Sequence, residues 1–137
     1  MSKAAHDLQA AIVSALKNDS ALVALLGSDK QIADFVPADF ALPIVVIGGV
    51  SARDWSTDDV PGCDHQVTIR CWSEGTSRAN VLALAERVET ALAGLSGIHG
   101  TTRLVLLRST SAQADYVAAE LAWRVTSRFR VLSEPAN

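Results

Sequence analysis

The apolar residues Leu8, Ala11, Ile12, Ala15 and Leu16 recur at three- and four-residue intervals between Lys3 and Lys17, which places them on one face of a helix. Asn18-Asp19-Ser20 follows, with short polar side chains able to bond the free amides of a new first turn. The pattern predicts a second, short helix over residues 21–26 that ends at Gly27 in a left-handed cap. Residues 28–42, with Pro37 and the scattered Ile32, Phe35, Val36 and Phe40, hold no period and read as an irregular connector with room for one short strand.

Pro43-Ile44-Val45-Val46-Ile47 is an unbroken β-branched run closed by Gly48-Gly49, the pattern of a strand covered on both faces and central in its sheet. Gly48-Gly49 reads as a turn, and the polar, acidic residues 51–62 as a loop or hairpin tip turned by Pro61-Gly62. From 63 to 72 the odd positions Cys63, His65, Val67, Ile69 and Cys71 oppose the even positions Asp64, Gln66, Thr68 and Arg70, so one strand face is buried and one polar. Thr76 or Ser77 can cap a following helix whose apolar residues are Val81, Leu84, Ala85, Val88 and Leu92. That helix closes at Gly94 or Gly97. Residues 103–107 form a strand too apolar for a solvated surface, and 109–115 a polar bend. The longest alternation follows: Val117, Ala119, Leu121, Trp123, Val125, Phe129 and Val131 face the core, with Ser127 the one interruption. A strand of about 15 residues spans roughly 50 Å, so it bends or reaches a neighbour.

The resulting order is α-α-β-β-α-β-β. It predicts an α+β fold with a mixed, largely antiparallel sheet packed against helices. At 137 residues and 14.5 kDa the chain fits one domain, 1–137, without repeat or linker. The start of the chain lacks the basic and apolar segments of a secretory leader, and no apolar run approaches the roughly 20 residues that cross a bilayer, so no membrane partner is expected. A formal charge of −3 argues against a dedicated nucleic-acid binder. Cys63 and Cys71, eight residues apart on one strand, are too distant for a disulfide and read as reduced thiols kept for packing.

Chemistry is sparse. Asp58, Asp59, Cys63, Asp64 and His65 are all metal-ligating types, yet no second paired motif completes a ligand set, and no metal or cofactor is expected. A small metal-dependent or hydrolytic enzyme built on Cys63, Asp64 and His65 is the alternative function. No Gly-x-Ser-x-Gly turn and no phosphate-binding glycine loop occurs. Arg124, Arg128 and Arg130 share the even face of the last strand with Glu120, without the interleaved aromatics that stack bases. Trp55 and Trp72 flank the acidic loop, where large aromatics can anchor a partner; Trp72 can equally pack under the helix that follows.

Taken in order, the opening helices ending at Leu25-Leu26-Gly27, then Ala41-Leu42-Pro43-Ile44-Val45-Val46-Ile47-Gly48, Val67-Thr68-Ile69-Arg70-Cys71-Trp72-Ser73, the helix from Arg78 to Leu92 and the closing Arg128-Phe129-Arg130-Val131-Leu132-Ser133-Glu134 resemble the tail completion, or tail terminator, proteins of tailed phages and gene transfer particles. The resemblance spans nearly the whole chain. It implies a structural virion protein of the tail or neck, assembled in the host cytoplasm and not an enzyme. Six copies would cap the tail tube as a homohexameric ring, end its growth and dock the head connector (stopper or adaptor) protein, with DNA passing only in transit; a different neck or tail adaptor is the nearby alternative. Six copies at −3 each would carry −18, favouring a channel that repels DNA. Arg53, Asp54, Trp55, Asp58 and Asp59 of the acidic loop and Glu120, Arg124 and Arg128 of the last strand are the expected interface residues.

Overall fold

The computed structural model of the protein describes residues 3–35, 41–57, 59, 61–75 and 78–136. Helix α1 (Lys3–Lys17) presents Leu8, Ala11, Ile12 and Leu16 inward, as the apolar spacing requires. Asp19 caps α2 (Ser20–Leu26) by accepting the Leu22 N–H at 2.9 Å, and Gly27 closes it at φ 86°. The connector contributes a two-residue strand, β1 (Ile32–Ala33), parallel to the start of β2 (Ile44–Asp54). Pro37 and its neighbours Val36 and Phe40 lie outside the described residues, as do the capping candidates Thr76 and Ser77. Next come β3 (Cys63–Glu74), α3 (Arg78–Ala93), the short β4 (Gly97–His99), β5 (Thr102–Val117) and β6 (Ala122–Pro135). Among the described residues no helix is long and apolar enough to cross a membrane.

The six strands form one sheet in the order β1-β2-β3-β6-β5-β4, antiparallel except for the β1–β2 pair. This is the α+β fold expected from the pattern. All three helices lie against one sheet face, where Leu8, Leu16, Leu22, Val81, Val88 and Leu92 meet Val45, Ile69, Phe129 and Val131 in a continuous core. Among the described residues the other face carries no helix.

Several boundaries differ from the sequence expectation. The β-branched run is not central: β2 lies next to the edge, bordered by β1 over only Val45 and Val46. Gly48-Gly49 is not a turn but a bulge, where the pairing with β3 shifts between Ile47 and Val50 and β2 continues to Asp54, so only the last part of residues 51–62 is loop. Residues 109–115 are not a bend; apart from a bulge at Thr110 they pair with β6, and their polar side chains are accommodated because this part of β5 stays open to solvent. The turn instead occupies Ala118–Leu121, which exposes Ala119 and Leu121 rather than burying them. Residues 103–107 are not sheltered either: Val105 is 47% and Leu106 39% exposed.

Candidate functional site

The helix-free face is built from every second residue of four strands. Cross-strand register places Ile44, Trp72, Arg124 and Asp115 in one row, and Val46, Arg70, Thr126 and Gln113 in the next. Thr68, Arg128 and Ser111 form the third row, Ser51, Gln66, Arg130 and Arg108 the fourth, and Arg53, Asp64, Leu132 and Leu106 the fifth. The same register extends the face to Arg103 with Glu134 at one end and to Glu74 at the other, so seven of the nine arginines of the chain stand on it beside two aspartates and two glutamates.

The two aspartates are fully engaged. Asp64 is buried and accepts bonds from Arg130 Nη2 at 3.0 Å, Arg130 Nε at 3.2 Å and Arg53 Nη2 at 3.1 Å. The Arg130 guanidinium, and to a lesser degree Arg53, holds the Asp64 carboxyl below the usual carboxylate range against the opposing effect of burial. Asp115 takes a two-pronged pair from Arg124, at 3.1 Å from Nε and 2.7 Å from Nη2, and the same guanidinium lies 5.4 Å from the Trp72 ring centroid. Among the described residues no carboxylate pairs with Arg70, Arg108 or Arg128. Arg70 lies flat over the bulge: a Cβ at Gly48 would sit 2.7 Å from its Nη1.

The expected interface residues divide between the two ends of the sheet. Arg53, Asp54, Trp55 and Asp59 belong to the β2–β3 end, and Asp58 lies outside the described residues. Asp54 Oδ1 accepts from the Ser56 hydroxyl at 2.6 Å and the Ser56 N–H at 3.0 Å, and the Trp55 N–H donates to the Gly62 carbonyl at 2.9 Å. Trp55 stays 42% exposed over Gly62. Glu120 is in the β5–β6 turn at the opposite end, roughly 40 Å away by the length of β3. It does not share a row with Arg124 and Arg128, because the strand starts only at Ala122.

Trp72 sits at the far end of β3 from the acidic loop, on the open face and not under α3. The open-face cluster missed by sequence reasoning is Arg53, Asp64 and Arg130, with Arg70 and Arg108 beside it. Asp64, Arg70 and Arg130 are marked by the even positions of β3 and β6, whereas reading 51–62 as a loop hides Arg53, and ending the strand at 107 before a bend hides Arg108.

The Cys63, Asp64 and His65 constellation is split by the sheet. His65 turns to the core, where its Nε2 lies 2.8 Å from the Ser133 hydroxyl and burial pushes its pKa down, while Asp64 turns to the arginines. Cys71 is buried and its thiol is pushed up to about 12 by that burial; Cys63 is half-buried, and both are free. Among the described residues no three metal-ligating side chains gather.

Comparison with known proteins settles the family. The model for "Tail completion protein gp17" matches residues 10–134. The chain belongs to the tail completion family. A solved chain from the "Virion of native gene transfer agent (GTA) particle" superposes with a TM-score of 0.85 at 30% identity, over 96% of this chain and 97% of that one. No curated protein sequence matches. The tail completion fold here is thus that of a structural component of a phage tail or related virion particle.

Proposed function

We propose that the protein closes the growing end of a tail tube as a ring of six copies, stops tail growth and offers the head connector its docking surface. Family membership over residues 10–134 is the observation that carries this. The fold supports it in two ways. The sheet has two chemically different ends: the acidic β2–β3 end with Asp54, Trp55 and Asp59, and the β5–β6 turn with Glu120 and an exposed Leu121. One end would meet the tail tube protein and the other the connector. In addition, β5 runs on beyond its short pairing with β4 at Thr102–Leu104, and among the described residues no strand covers its outer edge from 105 to 117. An open edge is a template for strand addition, and a head-to-tail ring brings two different surfaces of each copy together.

In this role the chain acts as one domain without catalysis, cofactor, metal or membrane, and DNA passes through the ring in transit. The acidic-loop residues Arg53, Asp54, Trp55, Asp58 and Asp59 and the strand residues Glu120, Arg124 and Arg128 stay candidates for contacts with neighbours. Electron microscopy of particles from a source strain lacking the gene tests the function. Overlong tails beside filled, unattached heads are expected. Normal joined particles would overturn the proposal, and tails of normal length without heads would make the protein an adaptor.

A further inference from the structure

We propose that the helix-free face of the sheet is a binding surface for the phosphate backbone of duplex DNA. Seven arginines against the four carboxylates of Asp64, Asp115, Glu74 and Glu134 leave this face with three excess positive charges on a chain whose formal net charge is −3. The mild overall charge is therefore an average over a strongly polarised molecule, and the remainder of the chain is correspondingly acidic. Each aspartate offsets one guanidinium, since Asp64 is shared by Arg53 and Arg130 and Asp115 is taken by Arg124. Arg103 is paired with Glu134, and Glu74 at the far end of the sheet offsets the extra unit of the Asp64 cluster, so Arg70, Arg128 and Arg108 remain.

These three are ordered in space. Arg70 on β3, Arg128 on β6 and Arg108 on β5 occupy successive rows of the sheet. They form a diagonal stripe, each step about 8 Å from strand rise and strand spacing combined. The stripe covers roughly 16 Å, over which one DNA strand offers about five phosphates.

The neighbours of the stripe decide what it fits. Thr68, Thr126, Ser111, Gln113 and Gln66 surround it, all hydroxyl or amide side chains of the kind that join arginine on phosphate oxygens. The centre of a protein interface is apolar and depleted of charge, and here the centre carries three guanidinium groups without carboxylate partners among the described residues. Leu106 is exposed at the end of the face, in the fifth row, whereas Trp55, Ile98, Val105, Tyr116 and Leu121 lie at strand edges and turns. Among the described residues no aromatic stands free on the face to stack bases, since Trp72 is buried beneath Arg124. The contact is thus to backbone, indifferent to sequence and reversible, as passage of DNA requires. The choice of duplex DNA as ligand rests on the tail function proposed above.

Fluorescence anisotropy of the full chain with a labelled 20-base-pair duplex tests it. Three to four phosphate contacts predict a slope of log K against log salt of about −2.7 to −3.6, so affinity falls roughly 40- to 150-fold between 50 and 200 mM salt. Arg70→Ala with Arg128→Ala lowers affinity at 50 mM at least tenfold and flattens the slope by about two. Arg70→Lys with Arg128→Lys retains most of the binding, because a phosphate accepts a point charge. No binding at 50 mM salt, or binding indifferent to the alanine pair with circular dichroism unchanged, would overturn the proposal. So would a shift in self-association on sedimentation without a change in duplex affinity, which would assign the face to an acidic protein surface. The gene-deletion experiment is independent: duplex binding with normal tails would sink the tail function alone, and overlong tails without duplex binding would sink only this inference.

Discussion

Asp19 joins two helices with one carboxylate: Oδ1 accepts the Leu22 N–H at the start of α2, and the Arg87 guanidinium of α3 grips both oxygens at 2.9 and 2.8 Å. The Arg87 bond is the leading cause that holds the Asp19 carboxyl below its usual range. Removing the aspartate loses a cap and an interhelix clamp together. Asp19→Ala is expected to cost about 2–3 kcal/mol in urea unfolding, and Arg87→Ala, which spares the cap, about 1 kcal/mol. A double-mutant cycle with no coupling between the two would show that the clamp contributes nothing.

How much of this was legible depended on whether a residue's role was local. The faces of α1 and α3 follow from spacing alone, and the inward residues Val81, Leu84, Ala85, Val88 and Leu92 are those the period selects. Asp19 was readable as a cap because a cap is local, whereas its clamp to Arg87, 68 residues away, leaves no mark in spacing. The β5–β6 turn was misplaced for a related reason. Ala118-Ala119-Glu120-Leu121 contains no glycine, proline or asparagine, and Leu121 takes the left-handed conformation that such residues normally fill. Polar residues 109–115 resembled a bend because an open sheet face lets them stay in a strand. Three arginines of the open face are legible in the alternation of the last strand; the larger cluster is not, because net charge sums over both sides of the molecule and cross-strand register leaves no mark in one strand's spacing.

Gly100 and Gly27 make a controlled comparison. Both have positive φ, 62° and 86°, so alanine at either costs about 1 kcal/mol in backbone strain. A Cβ at Gly27 meets nothing, whereas one at Gly100 would lie 2.6 Å from Asp7 Oδ1. Asp7 is buried and accepts bonds from the Thr102 hydroxyl at 2.9 Å and the Thr101 N–H at 3.2 Å, tying α1 to the start of β5. Gly100→Ala is expected to destabilise by about 2–3 kcal/mol against about 1 kcal/mol for Gly27→Ala. Equal shifts in urea midpoint would show that the Asp7 anchor yields without cost.

Acid should act in two stages. Burial depresses the His65 pKa below its ordinary 6.5, with the Asp64 charge opposing, so the unfolded chain takes up this proton before the folded one. Stability is complete above pH 6.5 and declines as pH falls below it, with a slope of up to about 1.4 kcal/mol per pH unit. The carboxyls of Asp7, Asp19, Asp54 and Asp64 are held below their ordinary 3.8 by hydrogen bonds, so their contribution persists above that value and is lost at lower pH. Urea midpoints measured from pH 7.5 to 3 should show both declines. In His65→Gln the upper one should vanish while the lower survives; an unchanged upper slope would place its origin elsewhere.

Leu121 combines two unfavourable features at one position. It is 72% exposed, the most exposed large apolar side chain among the described residues, and it holds φ 52°, a conformation that costs a leucine about 1 kcal/mol or more. The turn that carries it is firmly mounted, because Tyr116 and Trp123 pack edge to face at 5.4 Å and Arg78 lies 5.0 Å from the Trp123 ring centroid. A rigid stalk that presents an apolar tip at the expense of stability is what a docking anchor for a neighbouring protein requires. Leu121→Asn fits the left-handed turn better and removes the anchor. Its urea midpoint should rise by the equivalent of about 0.5–1 kcal/mol, while the yield of joined particles falls when the variant replaces the native gene. A more stable variant that assembles particles at the normal yield would remove Leu121 from the contact and leave the β2–β3 end, with Trp55, as the remaining candidate.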